Sequence, residues 1–238
     1  MWPFFTFYGG KWRAAPRYPM PIYDTIIEPF AGAAGYAVRH YQKNVVLVER
    51  DATIAALWRY LIAATAADIR ALPLIKMDQT VNDLDIVPEA RSLIGFWLNK
   101  GTTSPCKQPG AWMREGLRPK SFWGPEIRER IASQVEHISH WKIIEGDYRE
   151  APDIMATWFI DPPYAEAGSH YRHKALNYAA LALWCKNRKG QTMVCENDGA
   201  MWLPFRSFLT IKSTEGQRGK AKSREALWQS TQDVGLCV

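Results

Sequence analysis

Short runs of β-branched and aliphatic residues alternate along this chain with longer helix-forming stretches, and that alternation narrows the possible folds more than any other feature. NVVLVE (44–49) reads as a strand, as do DTIIE (24–28), KIIE (142–145), TWFI (157–160) and QTMVCE (191–196). Between them the pattern predicts helices over 33–41, 53–71 and 171–188. Strands separated by helices predict an α/β fold with a mostly parallel sheet, helices on both faces and right-handed crossovers.

Residues 72–140 break the rhythm. They carry Pro73, Pro88, Pro105, Pro109, Pro119 and Pro125, with Trp97, Trp112 and Trp123 set among basic residues. Helices are predicted only over 88–99 and 125–137. The region reads as an insertion, so 1–71 and 141–238 form one domain and 72–140 a second element within it.

Of the 238 residues 47% are apolar, enough for a sizeable core, yet no run approaches the roughly 20 needed to span a membrane. The opening MWPFFTFYGGKW lacks a basic leader and a cleavage site, so no signal peptide is expected. Cys106, Cys185, Cys195 and Cys237 are scattered without a CxxC pair, which points to a reducing cytoplasm and away from a metal site. The formal charge of +6 is concentrated. Residues 96–125 set Lys100, Lys107, Arg114, Arg118 and Lys120 against Glu115. Residues 206–224 set Arg206, Lys212, Arg218, Lys220, Lys222 and Arg224 against Glu215. Such tracts suit a polyanionic partner.

Four short motifs carry the chemistry. EPFAGAAG (28–35) follows the first strand, and its glycines let backbone amides approach a ligand closely. Glu49 ends the second strand, where an acid can accept hydrogen bonds from ribose hydroxyls; Asp51 competes for that role. GDY (146–148) puts Asp147 after the third strand, within reach of an exocyclic amine. DPPY (161–164) ends the fourth, and its prolines allow neither ladder pairing nor helix. Asp161, the Pro162 carbonyl and the Tyr164 ring are thereby held on stiff backbone, a set suited to a flat ring bearing an amino group.

Together with FYGGKW (7–12), these motifs and their order resemble the amino-group DNA methyltransferases that use S-adenosylmethionine, closest to the deoxyadenosine (N6-adenine) methylase branch. The likeness covers about 7–60 and 142–228. It implies a Rossmann-like methyltransferase fold in which 72–140 is the target-recognition region. It further implies that Tyr8, Lys11, Glu28, Phe30, Gly32, Gly35, Glu49, Asp147, Tyr148 and Asp161 bind S-adenosyl-L-methionine without a metal. Lys11 would face the methionine carboxylate, Glu49 the ribose and Asp147 the adenine. Asp161, Pro162 and Tyr164 would be catalytic.

The chain departs from the family's common G-x-G in the first loop, where Ala34 precedes Gly35; the extra methyl would weaken cofactor binding. The implied partner is double-stranded DNA, contacted by Arg114, Arg118 and Lys120 of the insertion, Arg172 in the loop AEAGSHYRH (165–173), and Arg218, Lys220 and Lys222 in a carboxyl-terminal hairpin. The implied setting is the cytoplasm of a bacterium or phage-infected cell, with the chain a monomer or a dimer. The same residues leave open RNA or cytosine N4 as acceptor, and a non-catalytic DNA-binding scaffold.

Overall fold

A computed structural model of the chain describes residues 1–165, 176–212 and 222–231. Seven strands form one sheet. They are β1 (Thr25–Glu28), β2 (Asn44–Glu49), β3 (Lys142–Glu145), β4 (Ala156–Ile160), β5 (Gly190–Asn197), β6 (Arg206–Lys212) and β7 (Lys222–Thr231). Their order is β3-β2-β1-β4-β5-β7-β6. The first five run parallel, and β7 lies antiparallel between β5 and β6. The fold is therefore α/β and Rossmann-like, as the alternation predicts. The chain moves outward from β1 through β2 to β3, then returns to the other side of β1 as β4. That reversal leaves a crevice outside the carboxyl ends of β1 and β4, where open α/β sheets bind ligands.

Strand periodicity sorts side chains onto two buried faces. Ile26, Val45, Leu47 and Phe159 face one core, which the amino-terminal segment, α1 (Ala52–Ala63), α3 (Pro88–Trp97) and α5 (Pro125–Val135) cover. Ile27, Val48, Trp158, Ile160 and Val194 face the other, covered by Leu181, Ala182 and Cys185 of α6 (Tyr178–Lys186). Region 72–140 shares the first core. Phe5 sits between Trp58 and Phe96, at ring-centroid distances of 5.4 and 5.0 Å. The Trp97 indole donates to the Phe4 carbonyl at 2.9 Å. Trp97 and Trp123 are buried, whereas Trp112 is 55% exposed. No helix among the described residues is long and apolar enough to cross a membrane.

Local chemistry shifted several predicted elements. The helix expected over 33–41 is only a 3-10 turn, Ala37–His40, because Ala34 adopts a positive φ of 47° that stops an α-helix from starting there. The helix expected over 53–71 is two, α1 and α2 (Ala66–Ala71). Thr65 and Asp68 form a capping box at the break, a local competitor that outweighs continuing through Ala64. The insertion adds a short α4 (Ala111–Arg114). Residues 166–175, where 171–188 was predicted to begin, lie outside the described residues, as does the basic hairpin tip, 213–221.

Thr65→Ala removes the cap that starts α2, and is expected to lower stability by about 1 kcal/mol in chemical denaturation. No loss would mean that packing of α2 on α5 alone sets the break.

Candidate functional site

The carboxyl ends of β1, β2, β3 and β4 open onto one cleft. Its lining draws on every sequence motif: Tyr8 to Lys11, Glu28 to Gly35, Glu49, Gly146 to Tyr148, and Asp161. Residues 130 positions apart thus meet because parallel strands all deliver their ends to the same side.

The floor is a buried ionic cluster. The Lys11 ammonium lies 3.0 Å from Asp161 Oδ1 and 3.7 Å from Glu225 Oε1, and donates to the Gly9 carbonyl at 3.1 Å. It also sits 4.9 Å from the centre of the Tyr164 ring. The second Glu225 oxygen accepts from the buried Tyr18 hydroxyl at 2.7 Å. Burial works against charge on Lys11, but Asp161, Tyr164 and Glu225 outweigh it and hold its pKa well above the usual range. For Asp161 burial is also the largest influence; opposed by Lys11 and reinforced by Glu225, it pushes the carboxyl up to about 6. Asp161 Oδ1 and the Tyr164 hydroxyl are both buried, the former against the Lys11 ammonium.

DPPY is braced from behind. Tyr178 of α6 donates to the Pro163 carbonyl at 2.7 Å, and Glu196 at the end of β5 accepts from the Ala165 amide at 3.2 Å. No described residue donates to the Pro162 carbonyl, while the Pro162 ring itself is buried. One face of Tyr164 is thus covered by Lys11, and Pro162 offers only its backbone.

On the opposite wall Glu49 clamps the glycine loop. Its two oxygens accept from the amides of Gly32 and Asp51, at 2.9 Å each. A carboxylate has about four lone-pair sites, so two remain for a ligand. Burial raises the Glu49 pKa against the pull of those amides. Asp51 serves as N-cap of α1, accepting from the Thr53 amide at 2.9 Å. Gly32 takes φ +45°, and a Cβ there would meet the Phe7 ring at 3.2 Å.

Gly35 and Ala34 both line the cleft, and each also shapes the backbone around it. A Cβ on Gly35 would lie 2.5 Å from the Trp12 amide nitrogen and 2.9 Å from the Lys11 carbonyl carbon. Gly35 is what lets the GGK segment reach the loop. Ala34 is fully buried, and the cost of its methyl is its positive φ.

Phe30 and Tyr148 stack at 5.4 Å beside the cleft. Asp147 caps the turn Tyr148–Glu150, and its Oδ1 accepts from the Arg149 side chain at 2.6 Å. Glu28 is 2% exposed and accepts from the Ala37 amide, so its role is to anchor the turn after the loop.

Among the expected DNA contacts, Arg114 donates to the Pro109 carbonyl at 2.6 Å, Arg118 lies 5.7 Å over exposed Trp112, and Lys120 is exposed. Arg172, Arg218 and Lys220 fall outside the described residues, and of the Lys222 side chain nothing is described. Sequence reasoning missed Glu225 and Tyr18. Glu225 lies in an otherwise mixed run, and only its pairing across from Asn197 carries it to the sheet's end.

No protein-family model matches the chain, and no curated protein matches its sequence. Among solved structures it is similar to a conserved hypothetical protein from Streptococcus pyogenes, 12% identical, covering 90% of this chain and 89% of that one. The TM-score of 0.39 is too low for that likeness to bear on the site.

Gly35→Ala is expected to lower stability by about 1–3 kcal/mol, because the methyl meets backbone that cannot rotate away. Equal denaturation midpoints for variant and parent would count against the contact. Burial pushes Glu28 up to about 8, so it is protonated in the fold while an unfolded Glu ionises near 4.3. Between those values unfolding releases a proton, and stability falls as pH rises. Glu28→Gln copies the protonated form and is expected to flatten that fall between pH 5 and 8; an unchanged slope would show Glu28 to be ionised.

Proposed function

We propose that this chain transfers a methyl group from S-adenosyl-L-methionine to the exocyclic N6 of an adenine flipped out of DNA. One observation carries the reading: motifs from four strand ends and the GGK segment line a single cleft, with the Asp161 carboxylate held in its lining by Lys11.

The residues fit the cofactor. Backbone amides of the glycine loop can hold the methionine carboxylate; Lys11, already neutralised by Asp161 and Glu225, is less suited to it than its motif implies. Glu49 keeps two lone-pair sites for ribose hydroxyls. Phe30, Asp147 and Tyr148 form the far end, where an adenine ring and its amine would lie. Bound S-adenosylmethionine supplies an electrophilic methyl on a sulfonium.

The rest is done by the protein. Flipping the base costs a few kcal/mol, which stacking on the Tyr164 ring would offset by roughly 1–3 kcal/mol. Asp161 and the Pro162 carbonyl accept the two N6 hydrogens. Those bonds draw the nitrogen lone pair out of conjugation with the ring and stabilise the positive charge that grows on nitrogen. A carboxyl near pKa 6 is mostly ionised at neutral pH, and afterwards it can take the proton released by the methylated amine. Tyr178 and Glu196 keep the backbone of DPPY from yielding.

Asp161→Ala is expected to abolish tritium transfer to DNA while calorimetric binding of S-adenosylmethionine persists; Glu225 remains beside Lys11 to compensate its charge. Asp161→Asn, which keeps one acceptor oxygen, should lose less. In the parent, kcat/KM should rise through about pH 6 as Asp161 ionises. Transfer at parental rates by Asp161→Ala sinks the mechanism. Nucleoside digests showing methylation only in RNA or at cytosine N4 would move the acceptor.

A further inference from the structure

Beyond the cleft, side chains from well-separated parts of the chain stack into a column that alternates cations with aromatic rings. The Arg39 guanidinium lies 3.5 Å over Trp12, and Trp12 stacks on Trp2 at 4.8 Å. Arg130 follows, 5.5 Å from Trp2 and 5.0 Å from Trp97. Lys100 comes next, 5.3 Å from Trp97 and 5.6 Å from Phe122.

Arg13 and Arg118 lie near enough for their charges to act on Lys100, so four cations share this region without a carboxylate partner among the described residues. Burial chiefly, and then the charges of Arg130, Arg13 and Arg118, push Lys100 down to about 8. Arg130 Nε is buried with no hydrogen-bond partner among the described residues. None of Arg13, Lys100, Arg118 and Arg130 forms an ion pair with a described acid. Elsewhere the exposed cations Arg59, Arg70, Arg149 and Lys189 do have carboxylate partners. Rings hold a cation in place without neutralising it, because the attraction to the π-face leaves the net charge and the outward N–H groups available.

The segments that carry these cations also contribute to the cleft. Arg13 lies two residues beyond Lys11, and Lys100 three before Thr103; Lys11 and Thr103 both line the cleft. Trp2 and Trp112 are more than half exposed beside it.

We infer that Arg13, Lys100, Arg118 and Arg130 form a phosphate-binding track for the DNA backbone next to the flipped nucleotide, with Lys100 and Arg130 positioned by the aromatic column and Arg118 by Trp112. The choice of occupant rests on the function proposed above. A set of cations without carboxylate partners among the described residues, on segments that also line the cleft, fits phosphates flanking the reacting base, contacts that position a duplex without reading its sequence. Only Arg118 of the four was among the expected DNA contacts.

The test is anisotropy of a labelled DNA duplex titrated with the full chain between 50 and 200 mM salt. Each phosphate contact contributes about 0.9 to the slope of log affinity against log salt. The double variant Arg13→Gln with Lys100→Gln changes two exposed cations and should lower that slope by about 1.8. Its affinity should then fall about 12-fold less than the parent's over that range. Lys142→Gln with Lys189→Gln removes equal charge elsewhere and should leave the slope near the parent's. An unchanged slope in the first variant, or an equal drop in the second, overturns the track. So does a duplex RNA that binds with this slope loss when DNA does not bind. Calorimetry with S-adenosylmethionine separates the two ideas. A chain that binds duplex through these residues but no cofactor keeps the track and loses methyl transfer. One that methylates DNA with an unaltered slope does the reverse.

Discussion

The ion pair between Lys11 and Asp161, 3.0 Å apart, joins the parts of the chain that the site needs. Lys11 belongs to the amino-terminal segment, Asp161 to the end of β4, and Glu225, the second carboxylate on the same ammonium, to β7. Burying a lysine is tolerable only with compensation, and two carboxylates supply it. Burial of the Asp161 carboxyl, reinforced by the second acid Glu225, outweighs the pull of Lys11, which is why it rises to about 6 instead of falling as in a simple ion pair. The interaction that holds the amino terminus over the sheet therefore also acts on the acid at the floor of the cleft.

Around it, polar groups hold the loops while the core holds the sheet. Glu49 binds the glycine loop through the Gly32 amide, Glu28 binds the following turn through Ala37, and Glu196 binds the segment after DPPY through Ala165. Burial raises the pKa of all three acids. They sit at or next to carboxyl ends of strands and brace backbone that carries no regular hydrogen bonds of its own. The glycines belong to the same framework: Gly35 admits the backbone of Lys11 and Trp12, and Gly32 accommodates Phe7.

Much of this was legible in the chain. All five parallel strands follow from apolar runs, since a buried strand must be apolar and has no other way to advertise itself. The motifs at their ends also marked the cleft lining. Less legible were the helical segments: a buried Ala34 at positive φ, and a capping box at Thr65, decide boundaries through geometry that composition does not express. The tryptophans among basic residues could be read either as a surface or as a core. In the fold Trp97 and Trp123 are core while Trp112 stays exposed, because α3 and α5 share the core of the sheet.

Sequence by itself determined the α/β alternation, the stiff acid-bearing turn at the end of β4 and the concentration of positive charge, all of them properties of neighbouring residues. Tertiary structure alone decided which distant groups face one another. Tyr18 and Glu225 meet across 207 positions of chain beside Lys11, and Lys100 and Arg130 collect around rings from three segments. The physical reason is that burial and Coulomb interaction act through space. A lysine's partner, or its lack of one, is set by the packing of elements that are strangers in the sequence.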